Sequence, residues 1–315
     1  MFMRVVFGLF SAIAALLVAG CTAAPQPRTA DPTSPGSASV TSTSASVSPP
    51  SARPSSSHPT HSVTSSKPSS VAVSAKATPS STPTSPPASP LPAPAKPLTG
   101  TVIVLNPGHN GANAANPAAI NRQVPAGFGE YKACDTTGTE TNAGYQEHAF
   151  NWDVSLRVQA LLQARGVKVI MTRGSDSGIG PCVDERARIG NQTGVAAVVS
   201  IHADGAPTSG HGFHVCEDSR QPAGAAVAAA SHRLTVAIHD ALLRGSGMTV
   251  SSYLGSNGYY PRDDLAGLNL ATVPATFLEI GNMRNSGDAS IQSAAAGRQR
   301  IAVTVANGIL AWLGR

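Results

Sequence analysis

Val102-Ile103-Val104-Leu105-Asn106-Pro107-Gly108-His109 runs from an unbroken apolar stretch through a Pro-Gly pair into a histidine. An apolar run bounded by such a pair predicts a buried strand that turns at its carboxyl end. Val198-Val199-Ser200-Ile201-His202 and Thr276-Phe277-Leu278-Glu279 repeat the pattern, each ending on a side chain that can bind a metal or carry a proton. In open α/β sheets ligands bind beyond the carboxyl ends of the strands, so residues placed there converge although they are distant in sequence. His109, His202 and Glu279 are therefore expected at one site.

The rest of the chain supports such a sheet. Strand-like runs at 101–105, 167–172, 196–201, 212–216 and 275–280 alternate with helical patterns. Over 147–165 the residues Phe150, Val154, Val158, Leu161 and Leu162 form a buried stripe, and Gly166 ends it. Further helices are expected at 183–193, 224–243 and 289–313, the last carrying Ile301, Val305, Ile309 and Trp312. This order predicts an α/β fold: a single three-layer domain over 99–315, its mostly parallel, mixed central sheet flanked by helices. No internal repeat is visible, and the length suffices for one core.

Ahead of the domain the composition changes. Met1–Arg4 is a charged start, Val5–Val18 an apolar core too short for a typical span, and Leu17-Val18-Ala19-Gly20 a small-residue cleavage site, so 1–20 reads as a signal peptide. The cysteine that follows resembles the bacterial lipobox, which implies that Cys21 is lipid-modified and tethers the chain to the outer face of a membrane. Residues 21–98 are almost entirely Ser, Thr, Pro, Ala and Val without an apolar period, the signature of a disordered linker. The Ser/Thr/Pro mixture also resembles glycosylated stalks.

The net charge of +5 points at first to an anionic partner. Arg4, Arg28, Arg53, Lys67, Lys76 and Lys96 against Asp31 account for all of it, which leaves the domain neutral. No nucleic-acid footprint survives. Of the cysteines in the domain, Cys134 and Cys182 lie in loop-like sequence and are expected to pair. Cys216, within Phe213-His214-Val215-Cys216, is expected to be buried and free. A structural metal site at His214 and Cys216 fits no common spacing.

Two histidines at strand ends supply part of a catalytic zinc set, which usually has three protein ligands and keeps one open position. A carboxylate must complete it. Glu147, at the start of the 147–165 helix, is the favoured candidate, with Glu130 and Glu140 as rivals in a Gly-rich loop.

Here the pieces resemble the zinc-dependent N-acetylmuramoyl-L-alanine amidases of bacterial cell walls (amidase type 3), and especially their mycobacterial type. The resemblance covers nearly all of 99–315. It rests on Asn106-Pro107-Gly108-His109-Asn110-Gly111, the Glu147 helix with Asn151, Val169-Ile170-Met171-Thr172-Arg173, the Arg186 helix, Ser200-Ile201-His202-Ala203, and Pro274 to Gly281 followed by Asn285. It implies one Zn2+ ion held by His109, Glu147 and His202. Glu279 would be the catalytic carboxylate that takes a proton from water and returns it to the departing amine. The implied substrate is peptidoglycan or its muropeptide fragments, cut between N-acetylmuramic acid and L-alanine by a monomer. A zinc carboxypeptidase on wall peptides and a non-catalytic peptidoglycan-binding lipoprotein are the alternatives.

Three positions depart from the family pattern: Asn106 stands where Asp is usual, Asp204 where Asn is usual, and Asn282 where Phe is common. None is an implied ligand, and the amide oxygen of Asn106 is expected to keep orienting His109. His148, His211 and His214 read as surface or structural, His232 and His239 as solvated helix positions, and Arg173 as a loop anchor. Residues 256–269, rich in turn formers, are either a recognition loop or a packed connector. No insertion between His202 and Glu279 reads as a plug, so open access is expected.

Overall fold

The computed structural model describes residues 98–315, so the signal segment, Cys21 and the linker lie outside the described residues. Leu98, which composition leaves at the end of the linker, is buried at 8% exposure, and its N–H donates to the Arg165 carbonyl at 3.1 Å. In chain order β1 (Val102–Pro107) leads through α1 (Pro117–Ile120) to β2 (Gln123–Gly127) and β3 (Glu130–Ala133). Then come α2 (Glu147–Gln163), β4 (Lys168–Met171), α3 (Val183–Gly190), β5 (Val195–Asp204), β6 (His214–Cys216) and α4 (Ala225–Gly245). The last elements are α5 (Ala266–Asn269), β7 (Ala275–Asn282), α6 (Ser286–Ser293) and α7 (Ala295–Trp312).

Five strands form one sheet in the order β4-β1-β5-β7-β6. β1 pairs in parallel with β4 and β5, and β5 with β7, while β6 runs antiparallel to β7. The mixed, mostly parallel sheet is as expected. Alternation along the strands divides the core. Ile103, Leu105, Val199, Ile201, Leu278 and Ile280 face one cluster with Phe150, Val154 and Leu162 of α2, Leu234 and Ile238 of α4, and Ile301 and Val305 of α7. Val104, Val198, Phe277 and Cys216 face the other with Leu268 and Ala271. By the same period-two rule His202, Glu279 and His214 point to this second, thinner side.

Two local expectations change. β2 and β3 form an antiparallel hairpin that the sequence reads only as a Gly-rich loop. Its pattern is weak, because only Val124 and Ala126 are buried along β2 and Pro125 separates them. The C-terminal helix expected at 289–313 begins earlier and divides at Ala294, whose ψ of 131° is extended. Asn285 caps the first part by accepting from the N–H groups of Gly287 and Asp288. A Cβ at Gly297 would lie 1.9 Å from the Ile291 carbonyl oxygen, so the second helix leans against the first where only glycine fits.

Cys134 and Cys182 form a disulfide across 48 residues, and Cys216 is buried and free. The bridge ties the end of β3 to the residue before α3. Replacing both cysteines by alanine should lower unfolding free energy by about 4 kcal/mol in the chain-entropy account. Urea titration would show it as an earlier midpoint, whereas an unmoved midpoint would mean that the neighbouring packing alone fixes this loop.

Candidate active site at the carboxyl end of the sheet

His109 follows β1 after two residues, His202 lies near the end of β5, and Glu147 is the first residue of α2. Their ligand atoms all lie within 4.8 Å of one another. His109 Nε2 stands 3.2 Å from Glu147 Oε2, and His202 Nδ1 stands 3.0 Å from Glu147 Oε1. The backbone makes this approach possible. His109 adopts a positive φ of 59°, uncommon for a residue with a side chain. A Cβ on Gly108 would fall 1.9 Å from the His202 ring. Gly108→Ala should therefore push His202 out of the cluster and cost more than tenfold in metal affinity with the fold retained. Parental affinity in a competition titration with a chromophoric chelator would refute the packing argument.

Each member of the cluster is held from behind. His109 Nδ1 lies 2.9 Å from the Thr136 carbonyl oxygen and 3.2 Å from Asp135 Oδ1. A proton on Nδ1 then leaves Nε2 free for a metal, the usual way that a partner fixes a ligand's tautomer. Glu147 Oε2 accepts from Thr139 N–H at 2.9 Å, and Oε1 accepts from Ala203 N–H at 3.2 Å and Asn151 Nδ2 at 3.3 Å. His202 stacks on Phe277 at 4.2 Å. Burial disfavours the imidazolium of His109, yet Glu147 and Asp135 outweigh it and push its pKa up to about 10. Burial pushes His202 down. Burial likewise opposes ionisation of Glu147, but His109 and His202 hold its carboxyl well below the usual range. A buried carboxylate thus lies between two imidazoles and draws a positive charge into the cluster. Two imidazoles and one carboxylate fit a single divalent cation of the zinc kind with a position left open.

Glu279 stands beside this cluster and outside it. The β5/β7 register pairs His202 with Glu279. Its Oε2 is shut off from solvent and accepts no hydrogen bond from any described residue. Burial, then the charges of Glu147 and Asp204, push its carboxyl well above the usual range. A buried carboxyl whose affinity for a proton is raised, next to a metal-capable cluster, has the character of a general acid–base group. All four residues line one cleft of about 400 Å³. Lys132, Ala133, Thr136 to Thr139, Leu265 to Gly267 and Phe277 also line it, and none of its residues comes from α4.

The four residues singled out from sequence thus meet in one place. Glu130 and Glu140 stay outside the cluster, Glu130 paired instead with Arg220 at 2.8 Å. Arg173 is a loop anchor as expected, donating to the carbonyls of Pro107, His148 and Ser175 and pairing with Asp176. The expectation for Asn106 is overturned. Asn106 does not orient His109: its Oδ1 accepts from Thr172 Oγ1 at 2.7 Å and Arg186 at 2.9 Å, and its Nδ2 donates to Ser200 Oγ at 3.0 Å. The acid that orients His109 is Asp135, brought there by the loop after β3 and joined to Arg186 at 3.5 Å.

Arg186, 3% exposed, also donates to the carbonyls of Pro107 and His109 and to Asn110 Oδ1, which fixes the whole His109 turn. Neither role was legible, since Asp135 is a single acid beside a loop cysteine. Burial pushes Arg186 down to about 10, still charged at neutral pH.

Other histidines divide. His232 is exposed beside Glu217 as expected, and His211 is exposed beside Thr249. His239 is not solvated but 5% exposed, because Tyr259 stacks on it at 4.2 Å and the Asn257 carbonyl lies 2.9 Å from its Nε2. The 256–269 segment is a packed connector over part of its length and lines the cleft with another part. Residues 258–262 lie along the outer edge of β6, with Val215 N–H donating to Gly258 and Tyr260 N–H to Val215, while Leu265 to Gly267 reach the cleft. Asn282 is fully buried and clasps the 206–210 loop through the carbonyls of Ala206, Pro207 and Gly210.

Sequence and structure comparisons agree with this geometry. The N-acetylmuramoyl-L-alanine amidase family profile matches residues 103–311, from β1 to the end of α7. The chain is 45% identical over 216 residues to the N-acetylmuramoyl-L-alanine amidase Rv3717 of Mycobacterium tuberculosis, covering 69% of this chain and 88% of that protein. It is similar to the crystal structure of Ami1 from Mycobacterium smegmatis, with 46% identity, a TM-score of 0.66, and coverage of 70% of this chain and 99% of that one. For Ami1 of Mycobacterium abscessus the values are 45%, 0.65, 69% and 100%. A profile that spans the sheet and includes His109, Glu147, His202 and Glu279, with relatives at this identity, places the chain in the N-acetylmuramoyl-L-alanine amidase family.

Proposed function

We propose that this protein hydrolyses the amide bond between N-acetylmuramic acid and L-alanine in peptidoglycan, with one zinc ion held by His109, Glu147 and His202. The observation that carries the reading is the pairing of the three-donor cluster with Glu279, whose register sets it beside His202. When bound, zinc supplies Lewis acidity, polarising the scissile carbonyl and lowering the pKa of water. The cleft binds the muramoyl-peptide junction against Phe277, Leu265 and the Thr136 to Thr139 loop. Glu279 takes the proton of the attacking water and returns it to the L-alanine amine, so one carboxyl serves both proton transfers. Asp135 and the Thr136 carbonyl keep His109 in one tautomer, and Arg186 keeps its turn from opening. The signal and lipobox-like sequence ahead of the domain suits a lipoprotein that reaches the wall from the outer face of the membrane.

Mass analysis of muropeptides digested with the zinc-loaded protein tests this reading. The expected products are free glycan and an intact stem peptide beginning with L-alanine. Loss of a terminal amino acid from the peptide would instead establish a carboxypeptidase, and binding without turnover a non-catalytic wall protein.

A further inference from the structure

The register that pairs His202 of β5 with Glu279 of β7 continues one strand further. On the other side of Glu279, antiparallel β6 places His214 directly opposite it. His202, Glu279 and His214 therefore form one row across three adjacent strands, all pointing to the same side of the sheet. Directly opposed residues in such a pair have Cβ atoms about 5 Å apart.

His214 does not behave as a surface residue. It is 1% exposed, enclosed edge-on by the rings of Tyr253 at 6.1 Å and Tyr260 at 5.7 Å. Asp204 and Arg262 act on its charge in opposite senses, and Tyr253 already donates to Asp204 Oδ2 at 3.0 Å. Its Nδ1 is buried without a hydrogen-bond partner among the described residues, and so is Glu279 Oε2. Buried polar atoms without partners are uncommon and call for an explanation. Two of them, a potential N–H donor and a carboxylate acceptor, sit at the same register on neighbouring strands. No direct hydrogen bond joins them, and one water molecule between them would satisfy both. Burial pushes the imidazole down to about 4, so at neutral pH the ring is neutral and has one N–H to give.

From this row we infer that His214 is a positioning residue for Glu279: its ring N–H, through one bridging water, holds Oε2 so that the other carboxylate oxygen faces the reacting water. The role rests on the amidase reading above, in which Glu279 carries the proton. Without the restraint Glu279 rotates in its pocket, and the proton transfer loses alignment while substrate binding and the metal donors are untouched.

The test uses the zinc-loaded full-length protein with muropeptide turnover and nitrogen-15 histidine spectra. His214→Phe keeps the ring volume and should lower kcat about 10- to 100-fold, the usual cost of removing such a partner, with KM within about twofold. Zinc content should stay at one per chain. His214→Gln, which retains a donor, should recover kcat to within about threefold of the parent. In the parent, the ring N–H of His214 should exchange slowly with solvent, and Glu279→Ala should shift it or speed its exchange. The inference is overturned if His214→Phe keeps the parental kcat, if it raises KM alone, or if His214→Gln is as impaired as His214→Phe. It is overturned equally if Glu279→Ala leaves the ring N–H unchanged, a measurement that stands even if the Phe variant fails to fold. A parent protein that releases no stem peptide would sink the amidase reading, while the spectra would still decide the contact.

Discussion

Glu279→Gln should bind metal as the parent does and turn over muropeptides about a thousandfold more slowly, a loss within the range supplied by a positioned general acid–base group. The substitution keeps the shape of the side chain and removes only its capacity to take and return a proton. Metal content should not fall, because the three donors that converge within 4.8 Å do not include Glu279. Equal loss of zinc and activity would show that Glu279 is a ligand rather than a proton carrier. The same substitution should act on the metal-free protein in the opposite sense. Burial, Glu147 and Asp204 hold the Glu279 carboxyl well above its usual range. A raised folded-state pKa favours folding below the unfolded value of about 4.3, and that contribution is lost as pH rises through the folded-state value. Metal-free Glu279→Gln should therefore melt higher than the metal-free parent at neutral pH, with a gap that widens as pH rises. A variant that melts lower throughout would contradict the unfavourable burial inferred for the carboxylate. A site that is more stable once disarmed is the expected trade between stability and activity.

How far the sequence carries follows from what each signal depends on. β1, β5 and β7 are legible because a strand buried on both faces must be apolar throughout, which makes the residue that ends the run conspicuous. That is how His109, His202 and Glu279 could be placed together before any contact was known. Glu147 is legible only as a helix-start acid, and its rivals Glu130 and Glu140 fall away when the α2 N-terminus is seen to point at the strand ends. The hairpin of β2 and β3 is not legible, since its stability comes from the Cys134–Cys182 bridge and from packing on α3 and α5 rather than from its own alternation. Asp135 depends on that hairpin for its position and is hidden with it. His214 is missed for a different reason. Its meaning lies in a strand register, and β6 is three residues long with no pattern that could fix the register in advance.

Glu147→Gln should lose the metal itself, and with it most of the stability that metal confers. The carboxylate bridges the two imidazoles at 3.2 and 3.0 Å and is the only negative ligand among the three. Its amide replacement offers one weak neutral acceptor. An ion that binds only the folded state stabilises it by RT ln(1 + [L]/Kd), roughly 4 kcal/mol at a thousandfold excess over Kd. For a domain of this size that corresponds to a Tm shift of about 8 to 16 °C. Chelation should lower the Tm of the parent by this amount, readdition of zinc should restore it, and Glu147→Gln should respond to neither. The acid limb gives a second reading of the same group. His109 and His202 hold the Glu147 carboxyl well below its usual range, so the stability it contributes is present above about pH 4.3 and disappears as pH falls through its lowered folded-state value. Metal-free Glu147→Gln should accordingly lose less stability than the metal-free parent on acidification through that window. If the variant kept the zinc-dependent rise in Tm, the cation would be held by the two histidines and some other acid, and the cluster at the carboxyl end of the sheet would have to be redrawn without Glu147.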